Sequence, residues 1–412
     1  MIRTSLRSLA LGVTSILIFV LAVPLLASQP PADRSAAATV PASQSTVAPE
    51  MALSKQPARA AAAVRPVKLY TGIHQPLLVA VDLAPDATAA EIASLRLTLL
   101  EPATAKPVAT AELPARPGQP GEWQVDLARV LAAQLKQPKF YYLQLLAGER
   151  KLGPAMILQP LLQPQRAVLD RRNPARPLAI FSTDAPGTTR AFSGFRMYID
   201  KLVVIETERG TMRFRLRPDC APNTAWTFRH LAEGGFFDGT DFFRTVAVGS
   251  AVGKGFVVQG GDPTLAEPYD GGPGFDLALE PSPLPHDYGV LSMARDTEPD
   301  TAGSQFFICL SREETARLDG QYSAFGQMVW PPVAPETTKP GDQAGGGPSG
   351  GTMEGLSPVE VLTTIANSPL LPGKKDRPAK PVRINSMRLI DAAPYGDGDK
   401  VVTLEGNKPG VR

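Results

Sequence analysis

The chain has 412 residues, 43% hydrophobic and 20% charged, which is enough for two or three globular domains with ordinary cores. Its 42 basic and 40 acidic residues nearly cancel, and no RNP-type or zinc-finger signature is present, which argues against a nucleic-acid-binding protein. Two cysteines, Cys220 and Cys309, and three scattered histidines are too few for a disulfide framework or a four-ligand zinc site. A single bridge between the two cysteines stays open.

The first 27 residues have the pattern of an export signal. Arg3 and Arg7 precede a mostly apolar run from residue 8 to 27, and a proline-containing polar stretch follows. This order predicts either a cleaved signal peptide or an uncleaved membrane tether. By the positive-inside rule, we expect the remainder outside the cytoplasm, in the periplasm or on the outer face of the inner membrane, anchored or secreted.

Three segments of different composition follow. Residues 28–65 are rich in Ala, Pro and Ser without periodicity, which predicts a disordered linker. Residues 66–165 contain short strand-like runs separated by turn signals, which predict a β-sandwich-like module without a catalytic constellation. Residues 166–195 include RRNPARP and are interpreted as a connector that few contacts cross.

Residues 196–392 form a third predicted unit. Many strand patterns and two helical stretches, APNTAWTFRHLAEGG and SPVEVLTTIAN, are typical of a β-barrel closed by helices. In the first helix, Trp226, Phe228 and Leu231 are predicted to face inward, with Asn223 or Thr224 as the N-terminal cap.

The end of the chain contains two segments that are too poor in apolar residues to hold a core. Residues 331–355 predict an exposed loop rich in glycine and proline. Residues 393–412 are interpreted as a flexible tail.

An ordered series of motifs in the third unit carries a resemblance to a known family. In chain order the motifs are APNT, FFDGTDFFR, FVVQGGDPT, GGPGF, GVLSMAR, GSQFFICL and LDGQYSAFGQM. Together they resemble the cyclophilins, the peptidyl-prolyl cis/trans isomerases, over nearly the whole of 197–392. The resemblance implies an eight-stranded antiparallel barrel capped by two helices, with no cofactor and no metal. The chain as a whole is then mainly β.

The family's site pattern is carried over residue by residue. The catalytic positions that the resemblance implies are Arg244, Phe256, Gln259 and Gln305. The implied substrate-binding positions are Val257, Ala294, Arg295, Phe307, Leu318 and Tyr322.

Several positions depart from the family's pattern. Phe243 and Tyr322 stand where the family often has histidine, and Val257 stands where it often has methionine. Arg317 replaces a tryptophan that contributes to cyclosporin binding in the family, so we expect weak inhibition by cyclosporin. The loop of residues 245–255 is longer than usual.

The chemistry explains why no histidine is needed. Rotation about an X-Pro bond moves no proton, and its barrier of roughly 18–20 kcal/mol is lost amide resonance. A dry apolar pocket favours the less polar twisted amide, a role that suits Phe256, Phe307 and Leu318. A fixed donor stabilises the lone pair that localises on nitrogen, a role that suits Arg244.

The sequence therefore predicts an isomerase that acts on proline-containing segments of unfolded or maturing extracytoplasmic proteins. Two alternatives stay open. The third unit is a catalytically weak peptide-binding or chaperone module, or it is an accessory to a β-module that docks a partner. The sequence does not specify the oligomeric state.

Overall fold

A computed structural model describes residues 62–83, 87–114, 123–163, 167–170, 178–181, 191–247, 252–330, 356–398, 400–405 and 408–411. The predicted export segment, most of the predicted linker and the loop of residues 331–355 lie outside these ranges. Within the described ranges, no helix combines the length and the apolar character needed to cross a membrane.

The N-terminal part of the described chain is built from strands and three short helices. The strands are β1 (Ala63–Pro66), β2 (Tyr70–Gly72), β3 (Leu78–Asp82), β4 (Leu95–Leu100), β5 (Pro107–Glu112), β6 (Trp123–Asp126), β7 (Tyr141–Ala147), β8 (Arg150–Gln163), β9 (Ala167–Asp170), β10 (Leu178–Phe181) and β11 (Ala191–Ile199). The helices are α1 (Ala89–Ala93), α2 (Leu127–Val130) and α3 (Ala132–Leu135).

These strands form two antiparallel sheets around one core. The smaller sheet has the order β1-β3-β6 and the larger has the order β2-β11-β8-β7-β4-β5, with β9 and β10 as a separate hairpin. Val79 and Trp123 from the smaller sheet share a buried cluster with Leu97, Leu143 and Met197 from the larger. Two sheets that bury their facing side chains make a sandwich. This part of the chain thus has the predicted β-sandwich-like architecture.

The borders of this module differ from the sequence interpretation at both ends. Residues 63–65, assigned to the linker, belong to β1, and β1 pairs with β3. Residues 191–199 straddle the predicted connector and the third unit, but they form β11 between β2 and β8. A Cβ atom at Gly194 would lie 2.1 Å from the carbonyl oxygen of Thr71, so only glycine allows β2 to approach. The connector interpretation is based on the proline- and arginine-rich composition of residues 166–195, and the start of β11 lies at the end of that segment.

The C-terminal part contains the predicted barrel. Its strands are β12 (Lys201–Thr207), β13 (Gly210–Leu216), β14 (Asp241–Thr245), β15 (Val257–Asp262), β16 (Val290–Met293), β17 (Phe306–Cys309), β18 (Ala324–Val329) and β19 (Val382–Asp391). They close in the order β12-β13-β18-β16-β17-β15-β14-β19, and every neighbouring pair is antiparallel. The predicted closed eight-stranded barrel is confirmed.

Helices α4 (Pro222–Glu233) and α6 (Pro358–Ala366) cap the barrel, and a short helix α5 (Arg312–Thr315) precedes a 3₁₀ turn over Ala316–Leu318. Phe228 of α4 and Leu362 of α6 are buried in the barrel's main cluster. The cap prediction for α4 is wrong, because its N-cap is Ala221 and the Glu280 carboxylate accepts the first backbone N–H groups instead. A carboxylate suits this end because the helix dipole is positive there.

Residues 393–412 are not simply a flexible tail. Tyr395 is buried and stacks on Tyr142 at 3.6 Å between ring centroids, and its backbone N–H donates to Gln144 Oε1 at 3.0 Å. Strands β20 (Val402–Glu405) and β21 (Lys408–Val411) form a further hairpin. Tyr395, near the start of this tail, is thus held by a partner in the β-sandwich-like module that lies 251 positions away in sequence.

Many contacts join the module to the barrel, contrary to the expectation of few. The side chain of Arg229 donates to the carbonyl oxygen of Ile199 at 2.5 Å, and Arg196 lies 4.7 Å from the ring of Trp226. Trp226 therefore faces the module, not the barrel interior as predicted. Only Asp200 separates β11 from β12, so one continuous path of chain links the two cores.

Candidate active site

Three neighbouring strands bring the polar site residues together. In the register of β14, β15 and β17, Arg244 lies opposite Gln259, and Gln259 lies opposite Phe307. The glycines of the QGG motif allow this close approach, because a Cβ atom at Gly261 would lie 2.7 Å from the carbonyl oxygen of Ser304. Arg244, 15 positions before Gln259, and Phe307, 48 positions after it, thus lie beside Gln259 on neighbouring strands.

A chain of side-chain hydrogen bonds runs across this surface. Arg244 Nη1 donates to Gln259 Oε1 at 3.1 Å, and Gln259 Nε2 donates to Gln305 Oε1 at 2.9 Å. Gln305 Nε2 then donates to Asp262 Oδ2 at 2.8 Å. The carboxylate of Asp262 is buried and can only accept, so it fixes which way both amides point. The Gln259 oxygen is consequently directed at Arg244.

A cavity of about 340 Å³ with a mixed polar and apolar lining lies beside this chain of hydrogen bonds. It is lined by Arg244, Phe256, Val257, Gln259, Ala294, Arg295, Phe307, Arg317, Leu318 and Tyr322. Its floor is a buried cluster that includes Val257, Phe307 and Leu318. Nine of the ten site residues predicted from the sequence therefore meet in one cavity, with Gln305 as the exception.

Gln305 lines a second, adjacent cavity of about 670 Å³. This larger cavity shares four residues with the smaller one: Arg244, Gln259, Ala294 and Arg295. The loop from Pro268 to Asp276 also lines it. Gln305 thus lies between the two cavities, where it supports Gln259.

The longer loop between β14 and β15 does not displace Arg244. The backbone N–H of Val246 donates to the carbonyl oxygen of Val257 at 2.8 Å, and Phe256 N–H donates to Val246 at 2.6 Å. These bonds continue the pairing of the two strands past Arg244, and Arg244 lines the cavity. Residues 248–251 lie outside the described ranges.

Arg295 and Arg317 both line the smaller cavity, but their side chains make different contacts. Arg295 donates to the carbonyl oxygens of Asp296, Thr297 and Gln321, and its guanidinium lies 4.4 Å from the ring centroid of Tyr322. It therefore stabilises the wall of the cavity. Arg317 is exposed, and its guanidinium lies 4.4 Å from the ring centroid of Phe256.

The position of Arg317 leads to a prediction on drug sensitivity. A flexible guanidinium over Phe256 replaces the flat apolar surface and the N–H donor of an indole. We expect Arg317→Trp to strengthen inhibition by cyclosporin about tenfold or more, since a gained aromatic contact contributes roughly 1–1.5 kcal/mol. The measurement is the inhibition constant of both proteins in one isomerase assay. Tight inhibition of the unmodified protein would show that this residue does not set sensitivity.

A buried histidine lies beneath the cavity. His286 Nδ1 is 3.0 Å from Asp319 Oδ1, its Nε2 is 2.9 Å from Ser292 Oγ, and its ring stacks on Phe307. Burial lowers the pKa of His286 below its ordinary value, despite the opposing effect of Asp319. The carboxyl of Asp319 has a lowered pKa, chiefly because Arg312 donates to it.

The His286 pKa predicts a pH dependence of stability. Because the folded protein favours the neutral ring, this contribution is complete above the unfolded pKa of about 6.5 and is lost as the pH falls from there towards the folded pKa. Between pH 7.5 and 5.5 we therefore expect the stabilising contribution of this group to decrease. Thermal melting across this range measures it. His286→Gln should flatten the dependence, and an unchanged slope in that variant would contradict the assignment.

Both cysteines are free thiols, so the bridge left open by the sequence does not form. Burial raises the pKa of Cys220 to about 12 and also raises that of Cys309, which keeps both thiols protonated. In the part of the chain that the structure describes, no three His, Cys, Asp or Glu side chains are grouped as metal ligands would be.

Two residues at the site were missed by sequence reasoning. Asp376 and Arg377 lie in the loop between α6 and β19, and Asp376 Oδ2 accepts from Arg244 Nε at 2.8 Å. Arg377 lies 5.0 Å from the ring of Tyr269 and 5.5 Å from that of Phe243. The sequence KKDRP around them reads as an ordinary polar turn, and 132 positions separate Asp376 from Arg244.

The barrel is similar in sequence to known proteins. The family model for cyclophilin type peptidyl-prolyl cis-trans isomerase/CLD matches residues 202–331. A peptidyl-prolyl cis-trans isomerase of Synechococcus elongatus is 41% identical over 124 residues, which are 30% of this chain and 77% of that relative. The chain belongs to the cyclophilin-type peptidyl-prolyl cis-trans isomerases. The resemblance read from the motifs is confirmed, and so is the class of enzyme.

A second relative and a solved structure are also similar to this cyclophilin chain. A putative peptidyl-prolyl cis-trans isomerase of Staphylococcus haemolyticus is 34% identical over 203 residues, 46% of this chain and 91% of the relative. A solved cyclophilin type isomerase of Cryptosporidium parvum, determined in the presence of the dipeptide Ala-Pro, is 27% identical with a TM-score of 0.34 and covers 46% of this chain and 99% of its own. The family model begins at Leu202, so the β-sandwich-like module lies outside it.

Proposed function

We propose that the smaller cavity binds the proline ring of a peptide and that Arg244 stabilises the twisted X-Pro amide. One observation carries this proposal: the same cavity has a buried apolar floor and, at its rim, a guanidinium that retains unused N–H donors. Two of the five N–H groups of Arg244 are bonded to Asp376 and Gln259 among the described residues, which leaves three for a substrate.

The apolar floor contributes to catalysis by excluding water. In the planar amide, resonance makes the carbonyl polar, whereas the twisted amide is less polar and has a localised lone pair on nitrogen. Phe307, Val257 and Leu318 are almost fully buried, so a proline ring between them loses contact with water. This environment favours the twisted state over the planar one, which is differential binding of the transition state.

The guanidinium contributes through its fixed position. A donor aimed at the amide nitrogen gains its full hydrogen bond only when the lone pair has localised. A turnover on the order of 100 per second needs the barrier lowered by about 5 kcal/mol, which a dry pocket and one charged donor can supply together. Gln259 and Gln305 hold the donor and require no proton transfer.

The substrates we propose are proline-containing segments of polypeptides, which lie across the rim between Arg244 and the segment Ala294–Arg295. A protease-coupled assay on an Ala-Pro tetrapeptide tests this activity directly. We expect acceleration well above the uncatalysed exchange, which takes tens of seconds. Peptide binding without acceleration would instead support the alternative of a catalytically weak binding module.

We also propose that these substrates are unfolded or maturing proteins outside the cytoplasm. The support is the N-terminal pattern, in which Arg3 and Arg7 precede the apolar run of residues 8–27. Cell fractionation of the full chain, together with the mass of its mature N-terminus, tests the location and separates a cleaved signal from a membrane tether. Recovery of the intact chain in the cytoplasm would overturn this part of the proposal.

A further inference from the structure

Asp376, in the loop between α6 and β19, contacts strand β14 at two points. The carboxylate of Asp376 accepts from Arg244 Nε at 2.8 Å, and the backbone oxygen of Asp376 accepts from the N–H of Thr245 at 2.9 Å. The side chains of Arg244 and Asp376 are 34% and 35% exposed, so the pair lies at the edge of the site and is partly screened by water.

The loop itself is well braced, which matters because a mobile partner could not hold an arginine in place. The N–H of Leu371 donates to Arg377 at 2.8 Å, that of Ala379 donates to Pro369 at 2.7 Å, and Leu370 forms a bridge with Pro378. Asp376 lies within this closed turn. The backbone of Asp376 is therefore braced, which places its carboxylate within reach of Arg244.

The two bonds to Arg244 act on different sides of the guanidinium. Asp376 holds Nε, and Gln259 holds Nη1, so the planar group cannot rotate about its own axis. Three N–H donors, one on Nη1 and two on Nη2, remain without a partner among the described residues. We propose that Asp376 is a positioning residue that fixes the guanidinium of Arg244 for catalysis, and this inference rests on the proposed role of Arg244.

Replacement of Asp376 would have different effects if the residue only formed a structural ion pair and if it positioned Arg244 for catalysis. An ion pair whose two side chains are each about one-third exposed contributes little to stability. Removal of the Asp376 carboxylate should therefore leave folding almost unchanged. Loss of positioning acts on the transition state instead. It lowers kcat while the apolar floor continues to bind the proline ring, so KM stays nearly constant.

The experiment measures kcat and KM for the full chain and for Asp376→Ala in the isomerase assay. We expect kcat to fall about tenfold with KM within about twofold, as for the loss of a contact made in the transition state. Asp376→Asn retains an acceptor oxygen for Nε and should recover most of the loss. Lys375→Ala, at an exposed position in the same loop, is the matched control and should behave as the unmodified protein.

A double-mutant cycle decides whether Asp376 acts through Arg244. In the Arg244→Ala background, Asp376→Ala should change kcat/KM by less than about twofold, because the group that it positions is absent. A loss of equal size in both backgrounds, or an unchanged kcat in Asp376→Ala, overturns the inference. Thermal melting checks the fold, and if Asp376→Ala unfolds, the cycle is repeated with Asp376→Ser, which also removes the carboxylate, and equal losses in both backgrounds again overturn the inference. An Arg244→Ala protein with full activity would instead refute the proposed role of the arginine.

Discussion

Arg244→Ala should lower kcat/KM by about 100-fold, equivalent to about 2.7 kcal/mol of lost transition-state stabilisation. The alanine removes a charged donor that lines the smaller cavity and is held by the chain of amide hydrogen bonds. The apolar floor is untouched, so peptide affinity should change much less than turnover. Asp376, left without its partner, is exposed enough to be hydrated and should not unfold the barrel.

Arg244→Lys is the informative companion variant. Lysine keeps the positive charge but has a single ammonium group in place of the planar fork. It cannot bond Asp376 and Gln259 while also presenting fixed donors to a substrate. We expect its activity to lie much closer to that of the alanine variant than to that of the unmodified protein. If Arg244→Ala retained nearly the turnover of the unmodified protein, with an unchanged melting temperature, the proposed role of Arg244 in catalysis would be wrong.

Asp200→Ala should reduce the free energy of unfolding by about 3 to 5 kcal/mol, the usual cost of breaking a buried ion pair. Asp200 Oδ2 accepts from Arg215 Nη1 at 2.6 Å, and the two side chains are only 2% and 9% exposed. Removal of the carboxylate takes this ion-pair partner away from a buried guanidinium. Denaturant unfolding measures the loss, which should affect the module and the barrel together because Asp200 joins β11 to β12.

Asp391→Ala is the matched control for that measurement. Asp391 pairs with Lys201 at 3.5 Å, close to Asp200 in the fold, but its side chain is 61% exposed. An exposed pair of this kind contributes about 0 to 1 kcal/mol. If the Asp391 and Asp200 variants lost similar stability, burial would not be the reason for the Asp200 effect. A second comparison is the double variant Asp200→Leu with Arg215→Met, which should recover part of the loss by removing both charges.

The barrel and its site were predictable because their signals are local. The stretches DFFRT, FVVQGGDP and GSQFFICL each carry a strand together with its site residues, and their order matches a family pattern. Strand pairing then brings Arg244, Gln259 and Phe307 together without further information. What the sequence could not supply is the direction of the amides, which depends on the buried carboxylate of Asp262.

The features missed by sequence reasoning all depend on distant partners. Strand β11 is stabilised by pairing with β2 and β8, and Tyr395 is buried only because Tyr142 lies against it. Trp226 has the spacing of an inward-facing helical residue, yet Arg196 and Tyr198 of the module cover it. Asp376 is polar, lies in a polar turn and has no periodic context. Its role arises only from the fold.

Strand β19 closes the barrel against its first strand, so loss of the C-terminal part of the chain affects the whole sheet. Strand β19 pairs with β12 on one edge and with β14 on the other. A chain that ends before Val382, through truncated synthesis or proteolysis, lacks the partner of both strands and leaves two open edges. Open edges recruit strands from other molecules. Loss of this C-terminal strand therefore does not yield a smaller, weaker enzyme but an open sheet that tends to aggregate.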